Sequence, residues 1–309
     1  MVRSFENCLK GNDYDGLRLF DKGDLHNHIA RGGNIIEFIK YFKLSNIKKP
    51  DKFSSFEEME QWYQHNIGNY FDESTYELRI KWTLKQLVSE GIRIAVLTYG
   101  FQELKMFDSI YEFIELQNKM FLKYAPQVRI IPELGINSSY CIEDIEEKAK
   151  LIFESGFFKS IDIHGKEIET PEKYVNLYRL AKEYGLKLRA HVGEFGSPEL
   201  INRAIDILNL EEINHGNRSV ESIDLMRKIK RKGIRLNLCP ESNIQLNLYS
   251  NLKQHPIRTL FDFGICVTVN TDDMLIFDKG INQLYIELYN ERIFNEFELE
   301  EIRKNSLWF

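Results

Sequence analysis

Short, β-branched apolar runs alternate along this chain with longer amphipathic stretches, and that alternation limits its possible folds more than any other feature. The runs read as strands at 23–28, 92–99, 128–136, 160–165, 186–194, 211–216, 235–240 and 265–273. Between most of them the apolar spacing is helical, at 56–90 (broken near Gly68), 106–124, 143–154, 171–184, 197–208, 220–232 and 257–263. Thr170-Pro171-Glu172 has the chemistry of a helix start, and Lys232-Gly233 and Tyr184-Gly185 that of helix ends. Strands that alternate with helices imply parallel β-structure with crossover helices. The length of 309 residues suits two average domains, but an α/β barrel of this size folds as one. No linker, repeat or low-complexity tract divides the chain.

Reactive residues distinguish a closed barrel from an open, doubly wound sheet. His26, His28, His164, His191 and His215 fall near the C-terminal ends of the expected strands, as do Glu194, Asp272 and Asp273. In a barrel these ends converge on one mouth, whereas outer strands of an open sheet stand too far apart to share a site. The expected fold is therefore α/β, a (β/α)8 TIM barrel spanning 1–309 as a single domain. A helical insertion is expected at 45–90, after the first strand. Its aromatic side chains (Phe53, Phe56, Trp62, Tyr63, Tyr70 and Phe71) suit an amphipathic helix packed on the barrel.

Composition narrows the function. There are 41 Lys and Arg against 47 Asp and Glu, for a net charge of −6. This is no footprint for duplex nucleic acid, which calls for a basic stripe. No apolar stretch approaches the length of a membrane span. The opening Met1-Val2-Arg3-Ser4-Phe5-Glu6-Asn7 lacks the apolar run of a signal peptide. Cys8, Cys141, Cys239 and Cys266 stand far apart with no CxxC, which argues against disulfides and a cysteine metal site. A soluble, reducing, cytoplasmic setting is the default expectation.

His26 and His28 are two apart on a strand, so both imidazoles face one side and can share a metal ion. His191 and Glu194 end another strand on either side of Gly193, offering a third imidazole and an acid able to carry a proton. His215-Gly216 ends the next, either as a reactive imidazole or as a core histidine bonded to a carbonyl. Asp272-Asp273 places two carboxylates together, which is costly without a cation or substrate. HExxH is absent, and so is the HxE with PCxxC pattern of the cytidine-type deaminases.

Taken in order, these motifs resemble those of the adenosine deaminase family of metal-dependent amidohydrolase barrels. The resemblance is carried by His26-Asn27-His28, Asp162-Ile163-His164-Gly165, His191-Val192-Gly193-Glu194, His215-Gly216, Asn270-Thr271-Asp272-Asp273, Cys239-Pro240-Glu241-Ser242-Asn243 and Lys304-Asn305-Ser306. It implies that His26, His28, His191 and Asp272 hold one zinc ion or another divalent metal. Glu194 would protonate N1 of a purine, while His215, helped by Asp272, would orient or deprotonate the attacking water. The Gly165 N–H would meet N3 and Asp273 would hold N7, and the resemblance makes the 45–90 insertion a helical lid over the pocket. The partner implied is a small-molecule purine nucleoside or nucleotide, and a homo-oligomer is compatible with the sequence.

The chain also departs from the family. Where the family carries HxHLDG, this sequence reads His28-Ile29-Ala30-Arg31-Gly32-Gly33, with alanine at the usual aspartate. Lys166 follows Gly165, and Arg218 follows His215-Gly216-Asn217. Arg31, Lys166 and Arg218 are expected to rim the sugar side and to favour a 5′-monophosphate, AMP or dAMP, over adenosine or deoxyadenosine. His164 is expected to pack under the pocket. Competing functions are action on another amino-heterocycle and a non-catalytic barrel that binds a nucleotide.

Overall fold

The computed structural model describes residues 4–45 and 47–309. Met1, Val2 and Arg3 of the opening read above, and Asn46 of the insertion, lie outside the described residues. Eight strands form one parallel sheet in chain order. They are β1 (Lys22–His28), β2 (Ile92–Gly100), β3 (Arg129–Asn137), β4 (Ser160–His164), β5 (Lys187–Val192), β6 (Glu212–His215), β7 (Arg235–Leu238) and β8 (Val267–Val269). The first and last strands meet through a bridge between Asn27 and Asp272. Asp272 N–H donates to His26 O at 3.0 Å, and Leu25 N–H to Asn270 Oδ1 at 2.8 Å. The sheet thus curls into the expected (β/α)8 barrel, with helices outside.

Local chemistry explains the outer layer. The helix Ile223–Lys232 buries Leu225, Met226 and Ile229, three positions on one helical face. Ser222 caps its start by accepting from Leu225 N–H, its last turn carries Lys230, Arg231 and Lys232, and Gly233 ends it with φ 66°. Thr170 behaves differently from expectation: its side chain caps nothing, and the Pro171–Tyr174 stretch is a 3-10 turn leading into the helix Val175–Glu183. The stretch 56–90 splits as the glycine suggested, into Phe56–Asn66 and Tyr76–Glu90 with short 3-10 turns between. The expected ends of the fifth and eighth strands ran too far. Gly193 turns left-handed at φ 78° and ends the fifth, whereas the eighth stops at Val269 and Asp272, left-handed at φ 59°, pairs beyond it with Asn27 of β1.

Inside the barrel the filling is partly ionic. Arg189 is fully buried and donates to Glu133 Oε2 (2.6 Å), Leu25 O (2.5 Å) and Asn214 Oδ1 (2.6 Å). Glu133 also accepts from Thr98 and Ser160, both at 2.8 Å. The end away from the mouth is closed by Leu25, Ile94, Val96 and Ile131 with Phe309 packed on them. The aromatic C-terminal stretch therefore lies on this barrel, and Ser306 Oγ accepts from Gly23 N–H at 2.7 Å. Among the described residues no helix is long and apolar enough to cross a membrane.

Removing one partner of a buried, hydrogen-bonded charge cluster leaves the other charge uncompensated. Arg189→Met is expected to lower the unfolding free energy by about 3–5 kcal/mol, read from urea denaturation at unchanged m. A loss below about 1 kcal/mol, the scale of an ordinary hydrogen bond, would show that the cluster does not hold the interior together.

Candidate active site

The strand ends bring the histidines together. His26 and His28 project from β1 toward the barrel axis, with ring centroids 5.3 Å apart. His191, ending β5, lies 4.5 Å from the His26 ring, and His215, ending β6, lies 4.9 Å from it. Asp272 Oδ1 stands 3.6 Å from His26 Nε2 and 3.5 Å from His28 Nε2. His215 Nε2 is 3.9 Å from Asp272 Oδ2 and 3.6 Å from Glu194 Oε2. Two of these residues hold a backbone conformation that side chains disfavour, His215 at φ 64° and Asp272 at φ 59°. Such strain persists where the surroundings fix it, and here the seam hydrogen bond to His26 O does so for Asp272.

The donor set fits a divalent ion. Both ring nitrogens of fully buried His26 lack a hydrogen-bond partner, an arrangement costly unless an ion takes one of them. Nδ1 of His191 lies 2.8 Å from Asp162 Oδ2, the outer partner that would turn Nε2 toward a metal. Burial and neighbouring imidazoles hold His28 and His191 well below the usual histidine range, and burial and His26 bring His215 down to about 3, so these rings are neutral and able to ligate. Burial opposes ionisation of Asp272, but the imidazoles of His26, His215 and His28 around it hold it well below the usual carboxylate range. Three imidazoles and a carboxylate suit zinc, and less selectively other divalent metals.

Glu194 reaches this centre over a tightly built turn. A Cβ on Gly193 would stand 2.3 Å from Ile201 Cδ1. Glu167 accepts from the N–H groups of Gly193, Phe195 and Gly196, which clamps the turn. Burial, with the Asp272 and Glu167 charges, pushes the Glu194 carboxyl well above its usual range. Its Oε1 accepts from Asn243 Nδ2 at 2.8 Å, and Asn243 Oδ1 is itself held by Asn217 Nδ2 at 2.6 Å and lies 3.1 Å from His255 Nε2.

Of the three cations expected on one rim, Arg31 and Lys166 line the cavity and Arg218 does not. Arg31 donates to Glu60 at 2.5 and 2.9 Å and to Asp273 Oδ2 at 2.9 Å, and its guanidinium lies 4.0 Å over the Tyr63 ring. Arg218 pairs with Glu221 and is not on the cavity wall. Lys166 is exposed at the rim. Asp273 and Glu60 claim Arg31 before any substrate can. Burial raises the Asp273 carboxyl to about 7 despite Arg31, and its Oδ1 is buried without a partner. Gly165 (φ 91°) and His164 line the cavity, so His164 faces the site rather than packing beneath it. The cavity, about 440 Å³, is of ligand-binding size and has Phe56, Met59 and Glu60 of the insertion in its wall.

Residues 103–308 match the family model for adenosine deaminase. The chain belongs to the adenosine deaminase family. It is 32% identical over 294 residues to the adenosine deaminase of Plasmodium gallinaceum, covering 93% of this chain and 73% of that protein. It is 33% identical over 181 residues to a putative adenosine/adenine deaminase of Treponema pallidum strain Nichols, covering 58% of this chain and 60% of the relative. Against several curated relatives the match spans 41% to 60% of their length. Arabidopsis ADAL, solved in complex with IMP, superposes with a TM-score of 0.77 at 16% identity, over 94% of this chain and 92% of that one. That likeness is one of fold.

Sequence reasoning left several residues of this adenosine deaminase family site without a role. Asp162 and Asn243 stood in recognised motifs, but their contacts with His191 and Glu194 depend on packing between strands. Glu60 and His255 gave no signal. We expect zinc titrated calorimetrically into chelator-stripped protein to bind at a single tight site. His26→Ala should remove it, and Asp162→Asn should weaken it about 10–100-fold by freeing the His191 ring. His164→Ala should leave it unchanged; loss of zinc on that substitution would refute this ligand set.

Proposed function

We propose that this chain hydrolyses the exocyclic amino group of an adenine nucleoside or its 5′-monophosphate, giving the hypoxanthine product and ammonia. The observation that carries this reading is one juxtaposition: a buried acid, Glu194, and a neutral imidazole, His215, 3.6 Å apart beside a set of metal-ligating donors. A zinc ion held by His26, His28, His191 and Asp272 would supply the Lewis acidity that makes water nucleophilic near neutral pH.

The protein's own groups divide the remaining work. Glu194, kept protonated by burial, donates to N1 of the ring and withdraws electrons from C6. Asn243 fixes one carboxyl oxygen and so orients the other toward the substrate. His215 takes the proton of the attacking water and Asp272 accepts a hydrogen bond from that water. The water oxygen bonds to C6; the C6–N bond then breaks as His215 gives its proton to the amine, which leaves as ammonia, and the proton of the C6 hydroxyl restores Glu194. Gly165 N–H meets N3, and the free oxygen of Asp273 faces N7. The insertion 45–90 acts as the lid that excludes water from the cavity.

Metal-replete protein mixed separately with adenosine, deoxyadenosine, AMP and dAMP should show the adenine-to-hypoxanthine ultraviolet shift together with ammonia release. Glu194→Gln should lower kcat by about 10²–10⁴-fold, the scale of a lost general acid, at unchanged zinc content. Full activity in that variant, or silence of the zinc-loaded wild type on all four compounds, would reject the proposal.

A further inference from the structure

The placement proposed for the base also determines where its N9 substituent goes. Glu194 follows β5, Gly165 follows β4 and Asp273 follows β8. Round a purine, N9 lies between N3 and N7 on the edge opposite N1. A base with N1 at β5, N3 at β4 and N7 at β8 therefore directs N9 toward the loops after β1, β2 and β3. There the cavity is lined by Ala30, Gly100, Glu103, Asn137, Ser139 and Tyr140.

That wall has the makings of a hydroxyl site. Glu103 Oε1 accepts from Gly100 N–H at 2.9 Å, which fixes the carboxylate. Its Oε2 is buried, and no hydrogen bond of good geometry reaches it although the Tyr76 hydroxyl stands nearby. Asn137 Oδ1 accepts from Ser139 N–H (3.0 Å) and Oγ (2.7 Å), which leaves Nδ2 as the donor on this wall. Ala30 leaves open the volume that an acidic side chain after β1 would fill. Among the described residues the only cations lining the cavity are Arg31, already engaged by Glu60 and Asp273, and Lys166 at the β4 edge. Arg79 lies over the Phe71 and Tyr76 rings and is not on the cavity wall.

We propose that Glu103 and Asn137 form a hydroxyl-binding subsite for the N9 substituent, taking over from β2 and β3 the task that a carboxylate after β1 cannot perform here. The inference rests on the deaminase reading for the orientation of the base. The ligand class is an uncharged sugar: on this wall a phosphate would face the Glu103 carboxylate, whose charge Arg79 balances from behind the wall, and among the described residues the cations on the wall itself are the engaged Arg31 and Lys166 at the β4 edge. Glu103 and Asn137 are specificity determinants and take no part in the bond-breaking step.

Glu103→Gln retains an oxygen for Gly100 N–H and loses the charge, while Asn137→Asp retains the oxygen for Ser139 and loses the donor. In each variant we expect kcat/KM for adenosine to fall about 10-fold or more, the scale of a lost hydrogen bond to a charged group. Calorimetric binding of purine riboside should weaken in parallel, while binding of unsubstituted purine stays within about 2-fold. Equal losses for riboside and purine would overturn the proposal, as would unchanged riboside binding. A wild-type preference for AMP over adenosine that disappears in Lys166→Ala would also overturn it. Absence of turnover with every adenine compound would instead fall on the deaminase reading, and the riboside and purine affinities would still decide the role of Glu103.

Discussion

The closure between β1 and β8 is the interaction on which the rest of this structure depends. A parallel barrel must join its last strand to its first, and β8 is only three residues long, Val267–Val269. The seam is made beyond that strand. Asn270 Oδ1 takes Leu25 N–H, Thr271 donates to Asp24 at 2.5 Å, and Asp272 N–H reaches His26 O. These bonds turn Asp272 into its left-handed conformation and aim its carboxylate at His26 and His28. Barrel closure and the arrangement of the donor set are therefore one structural event. A weakened seam would loosen the site and the fold together.

A second constraint is the cost of buried charge. Asp272, Asp273 and Glu194 are crowded at one mouth, and carboxylates so close cannot all remain ionised without compensation. The molecule distributes that compensation. Arg31 lies against Asp273, a metal ion would balance Asp272, and Glu194 keeps a proton because burial and its neighbours make ionisation costly. The same logic limits what Arg31 can offer a substrate at the rim. An arginine beside two acids at 2.5–2.9 Å is spent on them. Sequence position placed Arg31 correctly near the mouth, and charge balance decided what it does there.

What the sequence disclosed follows from short-range geometry. The pair His26 and His28 was legible because strand residues two apart share a face. Glu194 and Asp272 were legible because strand ends in a barrel converge. The helix broken near Gly68 was legible because its apolar spacing stops there. Contacts set by tertiary packing were not legible. Arg31 meets Glu60 and Asp273 across 29 and 242 positions of chain, and Asn243 meets Glu194 across 49. The helices Ile35–Tyr41 and Ile281–Asn290 also went unassigned. Polar residues at strand ends that turn left-handed were read as strand, which lengthened β5 and β8 beyond their real extent.

The insertion joins these strands of argument. It packs through Phe53, Met59, Tyr63 and Trp82 onto Leu246 and onto Leu275, Ile276 and Phe277 just past the Asp272-Asp273 pair. Glu60 in its helix Phe56–Asn66 grips Arg31, and Arg31 grips Asp273. A movement of the insertion would thus be felt at Asp273 through that guanidinium and through the packing on Leu275, Ile276 and Phe277. The turn that carries Glu194 touches the insertion as well: the Phe56 and Phe195 ring centroids stand 6.1 Å apart, and Phe53 N–H donates to Gln245 O, two residues past Asn243. Asp273 and Glu194, at the ends of different strands, are therefore both in mechanical contact with the insertion.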